Sequence, residues 1–188
     1  MFSDIFIQNV HWILLFGPFL GYFYFAPRVS LYNSVKSDED LNELWYNCFS
    51  EDVISIKDST FFLFDLNTPV QLAKFLNAGS GLYRTWLIKR TKEGDIIGFG
   101  VYGEFAPGYK NAVYVFIGLP YRGQGYASES LMAMLGILRI DKVSEVSAFC
   151  DEQDSAFIRF AEKWGFQQQE NEGFGADGLR ILKFNIFL

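Results

Sequence analysis

A single mixed α/β domain, in which an antiparallel meander precedes a β-α-β unit, is what the order of apolar patterns along this chain predicts. Two observations carry that expectation. Extended runs alternate with helix-period segments through residues 27–188, with no internal repeat, low-complexity tract or linker. One run, residues 111–119, is apolar on both faces, which marks a strand central in its sheet; a helix and a further strand follow it. The order is an antiparallel meander that passes into a β-α-β unit. A chain of 188 residues suits one such domain with a core of its own.

The elements follow from local chemistry. Residues 28–35 form a first strand. Ser37 is placed to cap a helix whose first turn carries Asp38, Glu39 and Asp40, and Leu41, Leu44, Trp45 and Cys48 recur at helical spacing behind it. Thr68, Pro69 and Gln71 supply the cap, N1 and N3 residues of a second helix with Leu72, Phe75 and Leu76 on its apolar side. Residues 82–89 and 96–103 are extended runs joined by the turn Lys92-Glu93-Gly94-Asp95. After the run 111–119, a helix opens at Gly125 and faces Leu131, Met134, Leu135 and Leu138 inward. Residues 143–150 form a strand, and Asp154 or Ser155 caps a last helix that buries Phe157, Phe160, Ala161 and Trp164. Residues 178–187 close the sheet.

Residues 1–26 stand apart as an apolar N-terminal extension ahead of the domain at 27–188. A secretory signal starts basic, whereas the one early charge here is Asp4. A spanning helix needs about 20 clean apolar residues, and this run is interrupted by Gln8, Asn9, His11, Gly17, Pro18 and Gly21. Packing within the fold or in a homodimer is the preferred role; contact with a membrane surface comes second, and a segment with no role third.

Composition removes several classes of function. The chain is half hydrophobic and 19% aromatic, the opposite of a disordered chain. Its net charge of −6 argues against nucleic acid and mildly favours a cationic partner. Two cysteines and one histidine cannot complete a Cys/His zinc tetrahedron, so no metal is expected, and the cysteine usage suits a reduced, cytoplasmic chain. A Ser-His-Asp or Cys-His system would have to recruit His11, which sits in the apolar run Val10-His11-Trp12-Ile13 and reads as a packed residue.

Two glycine patterns compete for a phosphate. Gly98-Phe99-Gly100-Val101-Tyr102-Gly103 has the letters of a dinucleotide fingerprint but lies within an extended run and opens no helix, so it is set aside. Arg122-Gly123-Gln124-Gly125-Tyr126-Ala127 leaves the central strand and opens an amphipathic helix, the context of an anion cradle. Backbone N–H groups point out of the turn, the helix dipole adds partial positive charge, and Arg122 lends its own. The alternative is a plain Gly-rich turn.

The stretch Pro120-Tyr121-Arg122-Gly123-Gln124-Gly125-Tyr126-Ala127-Ser128-Glu129 resembles the pyrophosphate loop of the GNAT superfamily of N-acetyltransferases, whose Q/R-x-x-G-x-G/A pattern is met by Arg122, Gly125 and Ala127. A second block, Asp154 through Phe166, is similar to the N-x-A-S…E-K-x-G-F segment of the ribosomal-protein alanine acetyltransferase branch. Leu82-Tyr83-Arg84-Thr85-Trp86 and Gly94-Asp95-Ile96-Ile97-Gly98-Phe99 resemble that branch as well.

The resemblance implies the GNAT fold, an α/β architecture with a central, mostly antiparallel sheet flanked by helices and with splayed fourth and fifth strands, here the runs 111–119 and 143–150. It implies acetyl-CoA as acyl donor, with pantetheine adding to the fourth strand at the backbones of Phe116 and Ile117 and the pyrophosphate on Arg122, Gly123, Gln124, Gly125, Tyr126 and Ala127. The acceptor is a primary amine, either a protein N-terminus or a cationic small molecule, attacking directly without an enzyme nucleophile. An ammonium must first lose a proton. The glutamate some relatives use falls near Asn111, which cannot serve, so Glu104 is the first candidate base, then Asp151 and Glu152. The family tyrosine acid position is Ala161. The cofactor-orienting asparagine is Asp154 here and the serine after it is Phe157. These departures leave a second reading, a CoA-binding or protein-interaction module with weakened turnover. Cys150, with no histidine to activate it, reads as a strand residue.

Overall fold

The computed structural model of the chain describes residues 27–33, 37–49, 68–77, 83–104, 110–174 and 180–188. The extension 1–26, with His11, and the segment 52–64 between the first two helices lie outside the described residues, as do Val35, Leu82 and Gly178 at the expected strand ends.

The first half is a meander with helices inserted. β1 (Val29–Asn33) is followed by α1 (Asp38–Phe49), α2 (Pro69–Asn77), β2 (Tyr83–Arg90), β3 (Ile96–Gly103) and β4 (Ala112–Ile117). Both expected caps form. Ser37 Oγ accepts the Asp40 N–H at 3.2 Å, and Thr68 Oγ1 accepts the Gln71 N–H at 3.2 Å while donating to Gln71 Oε1. A short 3₁₀ turn, Leu119–Tyr121, leads to α3 (Tyr126–Ile140). β5 (Glu145–Asp151), α4 (Ser155–Lys163), β6 (Gln167–Phe174) and β7 (Arg180–Phe187) complete the chain.

The strands form one sheet in the order β1-β2-β3-β4-β5-β7-β6. Every neighbouring pair is antiparallel except β4 and β5, which run parallel. One face is covered by α1 and α2, where Leu44, Leu72, Leu87, Phe99 and Phe116 meet. The other is covered by α3 and α4, where Leu131, Met134, Leu138, Ala148, Ala161 and Phe184 meet. β3 shows why the glycine-rich run inside it is no nucleotide loop. A Cβ on Gly100 would lie 2.5 Å from Met134 Sδ, and one on Gly98 would lie 2.0 Å from the Phe116 carbonyl oxygen. These glycines let a helix and a strand approach closely.

Two differences from the sequence reading matter. β6 was not expected, because Gln167, Gln168 and Gln169 show no apolar alternation; as an edge strand it has one side to solvent and needs none. β5 extends one residue beyond the expected end, so Asp151 sits on the strand rather than after it.

Candidate active site

The loop after β4 is shaped by two glycines in the left-handed region. Gly123 has φ +73° and Gly125 has φ +87°, conformations a side chain resists. Gly125 is the N-cap of α3 and no side chain caps that helix. The first bond into the helix runs from the Glu129 N–H to the Gly125 carbonyl at 3.2 Å, so the N–H groups of Tyr126, Ala127 and Ser128 precede the ladder. A Cβ placed on Gly123 would meet nothing within 4 Å, so the loop is open on that side. Uncapped amides, two αL residues and open space fit a bound diphosphate.

β4 and β5 part just beyond the loop's strand. They pair only at Ala112 and Ser147, held by the Ser147 N–H donating to the Asn111 carbonyl at 2.9 Å. On the other side of β4, the Gly118 N–H donates to the Ile97 carbonyl at 2.9 Å. Main-chain groups alternate in direction along a strand. Even-numbered residues of β4 therefore address β3, and Val115 and Ile117 turn theirs into the gap. Of the two strand residues expected at the cofactor, Ile117 faces the gap, whereas the main chain of Phe116 is spent in the β3 ladder. Val115 is the other β4 residue whose main chain faces the gap. The Phe116 ring stacks on Phe49 and Phe99 at 5.1 and 5.3 Å. Arg122, as expected of a loop residue, lines the cleft. Its Nε donates to the Ile117 carbonyl at 2.9 Å and its guanidinium lies 5.5 Å over the Phe116 ring, so it braces the strand end.

Gap and loop open into one cleft of about 520 Å3, within the range of small-molecule sites. Its walls come from β4, the loop, the first turn of α3, the end of β5 and α4. Asp151, Asp154 and Cys150 line it; Glu104, Glu152 and Gln124 do not. Glu104 follows β3 beside the start of β4, the end remote from the loop. Glu152 is exposed and its N–H donates to the Arg180 carbonyl. The Gln124 side chain donates to the Pro120 carbonyl at 3.2 Å. Asp154 accepts the Phe157 N–H at 2.9 Å and so caps α4 while facing the cleft. Asp151 accepts the Gln153 N–H at 2.7 Å.

Burial, with Asp154 and Asp151 nearby, pushes the Cys150 thiol up to about 12. A raised thiol pKa disfavours the thiolate, the form that attacks. Cys48, packed beneath Gly118, is raised to about 12 chiefly by burial. Tyr114 lines the cleft from β4 on the α1/α2 side, and sequence reasoning missed it. The signal was present, since tyrosine is the one polar tip within the run Ala112-Val113-Tyr114-Val115-Phe116-Ile117.

The Acetyltransferase (GNAT) domain family matches residues 31–167. No curated protein matches by sequence. Among solved structures, a GNAT-family acetyltransferase from Bacillus anthracis superposes with a TM-score of 0.66 at 16% identity, covering 85% of this chain and 95% of its own. The spermidine N-acetyltransferase of Vibrio cholerae, solved with CoA and spermine, gives 0.65 at 14% identity, covering 85% and 95%. A Vibrio cholerae protein provisionally named a ribosomal-protein-serine acetyltransferase gives 0.60 at 15%, covering 87% and 96%. Gap-facing β4 amides and an uncapped helix start are compatible with an extended CoA and its diphosphate, and the chain belongs to the GNAT family of acetyltransferases, which draw their acetyl group from acetyl-CoA.

Proposed function

We propose that this enzyme transfers the acetyl group to a primary amine, either a protein N-terminus or a small cationic amine, by direct attack and with no acyl-enzyme stage. The observation that carries the reading is the parting of β4 from β5 beyond Ala112, which leaves Val115 and Ile117 facing a gap that meets the uncapped start of α3. Acetyl-CoA supplies an activated thioester carbonyl. The chain's own part is positioning and charge. The amides of Tyr126, Ala127 and Ser128 hold the diphosphate end. The N–H of Val115 or Ile117 offers a hydrogen bond to developing oxyanion charge. Burial that raises the Cys150 thiol speaks against it as an acyl carrier.

Asp151 is the preferred base. It lies at the open end of β5, on the cleft wall, whereas Glu104 and Glu152 lie off that wall. Its carboxylate attracts an ammonium and takes the proton, directly or through water. The spermine-bound neighbour is in keeping with a cationic acceptor, and the one named for a ribosomal-protein serine with a protein acceptor. A cytoplasmic location accords with two free thiols; among the described residues no helix is long and apolar enough to cross a membrane. For residues 1–26 we retain packing or a homodimer contact ahead of a membrane-surface role. Liposome flotation and sizing of a 1–26 deletion decide between them.

Thiol release from acetyl-CoA with an amine panel tests the reaction. Asp151→Asn is expected to lower kcat by about 100-fold or more with CoA affinity retained, and Glu104→Gln and Glu152→Gln to stay near wild type. CoA binding without turnover on a broad panel would instead assign a binding module.

A further inference from the structure

Arg28 precedes β1, on the edge of the sheet, yet its side chain ends at the loop that opens α3. Its carbonyl accepts the Thr91 N–H at 2.8 Å, which ties it to β2. Its own N–H donates to Glu129 Oε2 at 3.3 Å. From the side chain, Nε donates to Glu129 Oε1 at 2.6 Å, Nη2 pairs with the same carboxylate oxygen, and Nη2 also donates to the Gln124 carbonyl at 2.9 Å. The guanidinium lies 4.9 Å over the Tyr126 ring. One arginine thus touches the loop, the first residue of α3 and its first-turn carboxylate.

Two consequences follow for a ligand at the loop. A trans peptide points its C=O and N–H in opposite directions. With the Gln124 carbonyl drawn to Arg28, the N–H of Gly125 is turned to the other side, and Gly125 lines the cleft. Glu129 stands in the first turn of α3, where an unneutralised carboxylate would oppose a bound anion; the guanidinium fork offsets that charge.

We infer that Arg28 is a positioning residue of the cofactor site, which sets the Gln124–Gly125 peptide and cancels the charge of Glu129 so that the loop accepts the diphosphate of acetyl-CoA. The inference rests on the acetyltransferase reading above. It adds a residue from outside the loop motif, in a different part of the chain.

Calorimetry with CoA and steady-state kinetics with two donors test it. Arg28→Ala is expected to weaken CoA about tenfold, the scale of one charge-assisted contact, raising KM for acetyl-CoA and leaving kcat near wild type. With acetyl-pantetheine, which lacks the diphosphate, Arg28→Ala and wild type should react alike. Adding Glu129→Gln should restore CoA affinity to within about threefold of wild type, since the uncompensated charge is gone. Arg28→Lys keeps a cation near Glu129 for folding but cannot span both acceptors, and should fall between wild type and Arg28→Ala. Unchanged CoA affinity in Arg28→Ala, equal losses with both donors, no recovery with Glu129→Gln, or an Arg28→Lys variant identical to wild type each overturn the assignment. A wild-type enzyme that binds no CoA overturns instead the reading on which it rests.

Discussion

At the residue scale, the site depends on backbone conformations that few residues tolerate. Gly125 sits at φ +87° with Arg28 Nη2 only 3.1 Å from where a Cβ would lie, whereas Gly123 at φ +73° has open space. Gly125→Ala carries both the left-handed penalty and a displaced guanidinium. It is expected to destabilise the fold by about 1–2 kcal/mol and to weaken CoA, whereas Gly123→Ala bears the backbone cost alone. Urea unfolding and calorimetry on the two variants measure the difference. The glycines were legible in the sequence because they flank a helix start. Arg28 was not: it meets Glu129 across 101 positions of chain, and no local pattern announces such a contact.

At the element scale, each helix start has its own solution, and the two beside the cleft differ. α3 begins on a glycine and leaves its amides free, while α4 begins on Asp154, whose carboxylate accepts the Phe157 N–H. Asp154 therefore does two opposed things, holding α4 and placing negative charge on the cleft wall. Asp154→Ala should cost about 1 kcal/mol through the lost cap. Asp154→Asn keeps a capping oxygen without the charge and should retain stability while binding CoA more tightly; an Asn variant with unchanged CoA affinity would mean the carboxylate does not oppose the ligand. The caps at Ser37, Thr68 and Asp154 were readable because capping involves residues a few positions apart. The phase of β4 was not. An apolar run states that a strand is central, and only its partners decide whether Val115 or Phe116 spends its amide in the ladder.

For the whole molecule, stability toward acid is tied to a contact joining the β2–β3 turn to the 3₁₀ turn. Arg90 donates to both oxygens of Asp95 at 2.7 Å, and the Tyr121 hydroxyl donates to Asp95 Oδ2 at 3.3 Å. The Arg90 hydrogen bonds hold the Asp95 carboxyl below its ordinary value. A folded pKa below the unfolded one stabilises the native state above the unfolded value, about 3.9, and the contribution is lost as pH falls through the lower, folded value. Wild type should lose part of its unfolding free energy as pH drops below about 4. Asp95→Asn should be less stable than wild type at neutral pH, with a shallower decline in acid. Urea midpoints at a series of pH values report both, and parallel declines would remove Asp95 from the account.

The amino-acid sequence by itself determined the mixed α/β order, the helix starts and the glycine-rich turn between the central strand and its helix. Each rests on spacing within a few residues or on composition. Tertiary structure alone decided which β4 amides face the gap, that Asp151 and Asp154 stand on the cleft wall while Glu104 and Glu152 do not, and that an arginine ahead of the first strand holds the loop. These depend on hydrogen bonds and packing between segments far apart in the chain, and such contacts exist only once the sheet has closed around them.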